Sequence, residues 1–181
     1  MMIDFEGVDA SGKSETAQLL AQRLGAVFYQ TPAKSKAIER QRVDANATAE
    51  EHYRYYLKDL FEVAAEISAE LAAGRIVVCD RFKLTTKVYH RVMGVSVNDA
   101  DFAGLLLPDV IVYLTVEKDI QAKRFLVRGL SAGDRRMINR QADLVSEYET
   151  SLRDEKCKII RINTSYLDKA EVVERIVANL R

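Results

Sequence analysis

Residues 7–14 read GVDASGKS and satisfy the spacing GxxxxGKS. The strand-like run MIDFE precedes them and the helix-like run ETAQLLAQRL follows, which is the setting this loop needs. In such a loop successive backbone N–H groups converge on a phosphate and the positive end of the helix adds to their field. Gly7 and Gly12 permit close approach of the main chain, Lys13 can reach the β- and γ-phosphates of a nucleoside triphosphate, and Ser14 can ligate Mg²⁺. A second chemical signal is CDRF, residues 79–82, at the end of an apolar run. An aspartate at the carboxyl end of a buried strand can hold Mg²⁺ through water, which points to Asp80. Its neighbour Arg81 can clamp a phosphate with two parallel hydrogen bonds.

The elements that must position these groups follow from apolar periodicity. Strand-length runs recur at residues 1–5, 26–29, 75–79, 110–114 and 158–162. Helical periods fill the intervals at 14–24, 49–73, 85–93, 117–128, 135–153 and 168–181. This alternation implies an α/β fold with a five-stranded parallel sheet. IVVC and VIVYL are apolar without a break, as in strands covered by helices on both faces. The longest helix places Leu57, Leu60, Phe61, Ala64, Ser68 and Leu71 on one stripe, widened by Val63 and Ile67, and Gly74 closes it.

The 181 residues suit a single domain spanning 1–181. Lys plus Arg and Asp plus Glu balance at 27 each, so no global field draws the chain to nucleic acid or an anionic membrane. Any anion site is therefore local. No run approaches a membrane span and the short apolar start does not suit a signal peptide, so a cytoplasmic protein is expected. Cys79 and Cys157 read as free thiols in apolar surroundings. The two histidines lack metal-ligand spacing; His52 is expected to face solvent, and His90, beside Tyr89, is a candidate wall of an acceptor pocket.

Four segments, in order, resemble the thymidylate kinases and their close relatives among nucleoside monophosphate kinases: FEGVDASGKSETAQLL, CDRFKLTTKVYH, LLPDVIVYLTV and RGLSAGDRR. The resemblance runs nearly end to end and implies the P-loop kinase fold, with helices on both faces of the sheet and a short arginine-bearing lid. It implies ATP-dependent phosphorylation of a pyrimidine nucleoside monophosphate, dTMP before others, with ATP and Mg²⁺ as companions and a homodimer as the assembly. Gly7, Asp9, Ala10, Ser11, Gly12, Lys13, Ser14 and Glu15 would form the donor cradle, with Ser14 and Asp80 at the metal. Asp9 would touch the acceptor sugar 3′-hydroxyl, since a carboxylate facing triphosphate would repel it. Arg81 would take the acceptor phosphate, Thr85 would lie near the base, and Tyr89 would crowd the ribose 2′ position.

Some family members carry an arginine inside the phosphate loop, where this chain has Ala10 and Ser11. The lid, about residues 128–137, would then supply the positive charge through Arg128, Arg135 and Arg136. The acceptor-side segment of the family is replaced by YQTPAKSKAIERQR, which leaves Lys34 as the candidate phosphate contact. On the long helix Tyr55 or Tyr56 would stack on the base, but Asp59 or Leu60 stands where the family has a base-reading arginine. UMP/CMP kinases of the same superfamily are therefore the first alternative, followed by a deoxynucleoside kinase using Asp80 as base, then a non-catalytic ATP-binding module. A GTP-dependent switch lacks its guanine-reading Asn-Lys-x-Asp here.

Overall fold

The computed structural model describes residues 1–180. Its sheet comprises β1 (Met2–Glu6), β2 (Val27–Gln30), β3 (Val77–Asp80), β4 (Val110–Thr115) and β5 (Lys158–Asn163), all parallel, in the order β2-β3-β1-β4-β5. The helices are α1 (Lys13–Leu24), α2 (Ala37–Asn46), α3 (Ala49–Ala72), α4 (Lys83–Val92), α5 (Lys118–Arg128), α6 (Ala132–Met137), α7 (Gln141–Ser151) and α8 (Lys169–Leu180). The strands fall where the apolar runs place them.

Both faces of the sheet are buried, which is why its strands read as unbroken apolar runs. On one face Ile3, Phe5 and Val112 pack with Leu20 of α1 and Ile176 of α8. On the other, Met2, Val77 and Cys79 meet Leu60, Val63 and Ile67 of α3. Beside them Ile111 and Tyr113 meet Val88 of α4 and Leu144 of α7. Helix α3 turns Leu60, Val63, Ala64 and Ile67 inward, whereas Phe61 is 36% exposed, so the inner stripe is rotated from the expected one. Both cysteines are free thiols, Cys79 buried and Cys157 partly so.

Three helical expectations change. The run foreseen over 135–153 is two helices, α6 and α7, separated by the 3₁₀ turn Ile138–Arg140. Helix α6 starts early because Ser131 and Asp134 form a reciprocal cap: Asp134 N donates to Ser131 Oγ at 3.0 Å and Ser131 N to Asp134 Oδ2 at 2.8 Å. Helix α2 was not foreseen, since only Asp44 along it is buried and no apolar stripe marks it. The expected helix end at Arg181 lies outside the described residues. Among those residues no helix is long and apolar enough to cross a membrane.

Strand β1 pairs with β3 on one side and β4 on the other, and the chain winds outward in both directions from it. The crevice beyond the carboxyl ends of β1 and β3 is where this topology puts ligands. The loop of residues 7–14 follows β1 directly, and Arg81 follows β3.

Candidate active site

The phosphate loop is shaped by one close approach. At Gly7, φ is +139°, and a Cβ there would lie 2.2 Å from the Leu114 carbonyl oxygen, so only glycine lets β4 run past the loop. Gly12, at φ +92°, caps α1 in the left-handed region. Three consecutive loop carbonyls are tied to fixed donors. Gln121 Nε2 donates to Asp9 O at 2.7 Å, Arg124 to Ala10 O at 3.0 Å and Thr164 Oγ1 to Ser11 O at 2.8 Å. Carbonyls held in this way leave the amide side of the loop for an anion. Lys13 curls back over the loop and donates to Val8 O at 2.6 Å and Ser11 Oγ at 3.3 Å. Burial, reinforced by the charge of Arg81, pushes its ammonium down to about 7. A cavity of about 710 Å³ opens over the loop toward α5 and the start of α8. Glu15, beside it, pairs with Lys169 at 3.0 Å.

Across the crevice, the Ser14 hydroxyl donates to Asp80 Oδ2. The other oxygen, Oδ1, is buried with no partner. A hydroxyl beside an unpartnered buried carboxylate oxygen fits a Mg²⁺ site in which protein supplies few ligands and the nucleotide the rest. Arg81 adopts φ +70°, uncommon for a residue with a side chain and a local strain at the centre of the site. Its guanidinium donates to Asp9 Oδ1 and lies 5.2 Å from the centre of the Tyr89 ring. The Tyr89 hydroxyl donates to Asp9 Oδ2 at 2.9 Å. Burial opposes ionisation of Asp9, but Arg81, Lys13 and Tyr89 together hold its carboxyl below the ordinary value.

A second cavity, about 860 Å³, lies between the loop after β2, α2, α3, α4 and the lid. Lys34 lines it, with its ammonium 5.7 Å from the centre of the Phe28 ring. Tyr56 also lines it and stacks on His52, ring centroids 4.3 Å apart. Of the two candidates for stacking, Tyr55 is excluded from this wall: one residue is 100° around the helix, and Tyr55 sits edge-on behind Tyr56 with its hydroxyl buried and unpartnered. His52 does not face solvent; it is buried, and so is His90, both at the cavity wall. Thr85 borders the cavity, but its hydroxyl donates to Glu6 Oε2 at 2.5 Å and bonds Tyr148 at 2.8 Å. Glu6 also accepts from Phe82 N at 3.1 Å and Thr85 N at 3.0 Å, which fixes the start of α4 to β1. Burial raises Glu6 above the ordinary carboxylate value. Of the two candidates for the base-reading position, Leu60 packs in the core, and Asp59 holds the loop after β2. It accepts from Ala33 N at 3.1 Å and pairs with Lys36 at 2.9 Å.

The lid arginines divide by role. Arg128 donates to Asp134 at 2.8 Å and borders both cavities. Arg135 bonds Leu130 O at 2.8 Å and is exposed. Arg136 is occupied structurally, donating to Asp44 O at 3.1 Å and Ala47 O at 2.8 Å, so it clips the lid to α2. Three further groups were missed in the sequence: Gln121 and Arg124 on α5 and Arg40 on α2. Arg124 stands one helical turn before Arg128, a spacing that puts both on one face and was the available signal.

The thymidylate kinase family model matches residues 5–176. A probable thymidylate kinase of Methanococcus aeolicus is 31% identical over 130 residues, covering 67% of this chain and 64% of that protein. One from Methanocaldococcus jannaschii is 26% identical over 100% of this chain and 96% of its own length. Among solved structures, a thymidylate kinase from Candida albicans superposes with a TM-score of 0.82 at 17% identity, covering 99% of this chain and 90% of that one. With a phosphate loop, an Asp-Arg pair and an arginine lid meeting in one crevice, the chain belongs to the thymidylate kinase family of nucleoside monophosphate kinases.

Proposed function

We propose that this protein transfers the γ-phosphoryl group of ATP to the phosphate of a pyrimidine nucleoside monophosphate, dTMP before others, giving ADP and dTDP. One observation carries the reading. The two cavities share Asp9, Ser14, Arg81 and Arg128 along their common border, as two nucleotides reacting phosphate to phosphate require.

The donor phosphates occupy the loop cavity. Lys13 exchanges its bond to the Val8 carbonyl for the β- and γ-oxygens, and Arg128 faces the transferring group. Ser14 and Asp80 would hold Mg²⁺, which neutralises charge on the donor phosphates when bound. Arg81 presents the acceptor phosphate, and Asp9 with Tyr89 borders its sugar. No general base is needed, because the acceptor phosphate is already an anionic nucleophile. The chain works as one domain over residues 1–181, and the long outer face of α3, with Phe61 half out, is the candidate homodimer surface.

A second reading, UMP or CMP as acceptor, is favoured by the lack of an arginine at the family's base-reading position, where this chain has Asp59 or Leu60. A coupled assay of ADP release with dTMP, dUMP, UMP and CMP separates the two. The highest kcat/KM is expected with dTMP, and no ADP release with any monophosphate would overturn the proposal.

A further inference from the structure

Both histidines of this chain lie in one buried line of polar groups that runs from α4 through α3 to α2. The Thr86 carbonyl, which can only accept, faces His90 Nδ1 at 2.6 Å, so that nitrogen carries a hydrogen. At the other end Asp44 Oδ1 faces His52 Nε2 at 3.1 Å. Asp44 already accepts from Tyr56 at 2.7 Å and has Arg40 at 3.4 Å. Burial opposes its charge, but the bonds from His52 and Tyr56 and the Arg40 charge hold its carboxyl below the ordinary value, so it accepts and His52 Nε2 donates. Between these ends His52 Nδ1 and His90 Nε2 are 2.8 Å apart. Two neutral rings would set two lone pairs against each other there. The line closes only with a third hydrogen. Burial, with the charges of His52 and Arg136 adding, pushes His90 down to about 3, which leaves that hydrogen on His52.

We propose that His52 is a positioning residue that works as an imidazolium, donating to Asp44 and His90 at once and so fixing α2 and the lid around the acceptor. The groups facing it are Asp44 from α2, Tyr56 from α3 and His90 from α4; Arg40 of α2 faces Asp44, while Tyr53 of α3 and Arg136 of α6 act on His90. Asp44 is also where the lid seats. Arg136 grips its carbonyl, and a Cβ on Gly133 would lie 3.2 Å from its Oδ2. The charge on His52 therefore answers a buried carboxylate at the α2–lid junction. A ring with a single hydrogen can serve only one of these two contacts, so without the third hydrogen either His90 or Asp44 loses its partner, and α2 and the lid are held less firmly around the acceptor. This consequence rests on reading the cleft as the acceptor site; the protonation state does not.

With two histidines, long-range ¹H–¹⁵N spectra of the whole protein near neutral pH report all four ring nitrogens. Three protonated nitrogens are expected: both of His52 and Nδ1 of His90. Two neutral rings, or the charge on His90, would overturn the proposal whatever the acceptor. In the coupled assay His52→Gln is expected to raise the acceptor KM about tenfold, the scale of one charge-assisted hydrogen bond. The donor KM should stay at the wild-type value, and Asp44→Asn should raise the acceptor KM in the same way. A His52→Gln variant whose acceptor KM is unchanged, or whose donor KM rises equally, sinks the positioning role.

Discussion

Arg81 and Asp9 are joined across the crevice before either meets a nucleotide, the guanidinium bonded to one carboxylate oxygen while Tyr89 bonds the other at 2.9 Å. The pair stores both acceptor-side groups as a mutually compensating ion pair and holds Arg81 in a left-handed backbone that its own side chain disfavours. Replacing Arg81 by Ala strands a buried carboxylate, at about 3 kcal/mol of stability. The loss of acceptor use should be larger than any change in donor KM, with kcat/KM for the monophosphate down about 10²- to 10³-fold. Unchanged acceptor kinetics in that variant would remove Arg81 from the role assigned to it.

The same pair sets an acid limit. The folded-state value of Asp9 lies below its ordinary 3.8, so pairing contributes stability that is fully present above that value and lost as pH falls through the folded one. Thermal melts of wild type and Asp9→Asn are expected to differ most above pH 4 and to converge below it. A gap in Tm that stays constant down to strongly acid pH would show that the pairing is not electrostatic.

Lys13 gives the same sign for a different reason. Its folded value, about 7, lies below the unfolded 10.5, so the unfolded chain binds more protons between these limits. From this group alone, stability rises with pH across that window. Phosphate oxygens restore the ammonium, so donor binding at pH 8 should take up protons. Calorimetry in two buffers of different ionisation enthalpy reads this directly, and zero uptake would contradict the buried resting state. Lys13→Met should lose about 10³-fold in kcat without a lower Tm, because it removes a desolvated charge and no structural bond beyond the loop.

The sheet and most helices were legible in the sequence because burial on both faces of β1, β3 and β4 leaves a continuous apolar signature. The phosphate loop and the Asp-Arg pair were legible because their residue types admit few other uses in that order. What stayed hidden faces the cleft. Helix α2 turns Arg40, Gln41 and Asp44 to the cavity, so its inner side is polar and the periodicity that marks a core helix is missing. His52 was assigned to solvent for the same reason: a histidine in a polar stretch reads as exposed, and only the fold brings Asp44 and His90 to its two nitrogens. Asp59 shows a third kind of miss. Weighed with Leu60 for a base-reading position, it supports the loop after β2.

Gly7 and Gly12 make a paired test of what the loop needs. A methyl on Gly7 would stand 2.2 Å from the Leu114 carbonyl, a backbone atom of β4 that cannot move aside, so Gly7→Ala should cost folding itself. At Gly12 the nearest atoms are 3.9 Å away, and only the left-handed backbone at φ +92° is disfavoured, at about 1–2 kcal/mol. Gly12→Ala should therefore remain folded with a modestly lower Tm and a weakened donor site.

Gln121 carries the last prediction. Its single amide nitrogen donates to the Asp9 carbonyl and to Gln141 Oε1, each at 2.7 Å, and so ties the phosphate loop to the first turn of α7 just beyond the lid. Replacement by Leu keeps the bulk and removes both bonds, leaving the Asp9 carbonyl and the Gln141 oxygen without this donor. The stability cost is about 2 kcal/mol. Freed of this tether, the Asp9 peptide can rotate and point its carbonyl oxygen toward the donor phosphates. The expected result is a kcat reduced about tenfold, with a raised donor KM and a smaller change in acceptor KM. A Gln121→Leu enzyme that is merely less stable, with both KM values and kcat intact at low temperature, would show that the loop holds its shape without it.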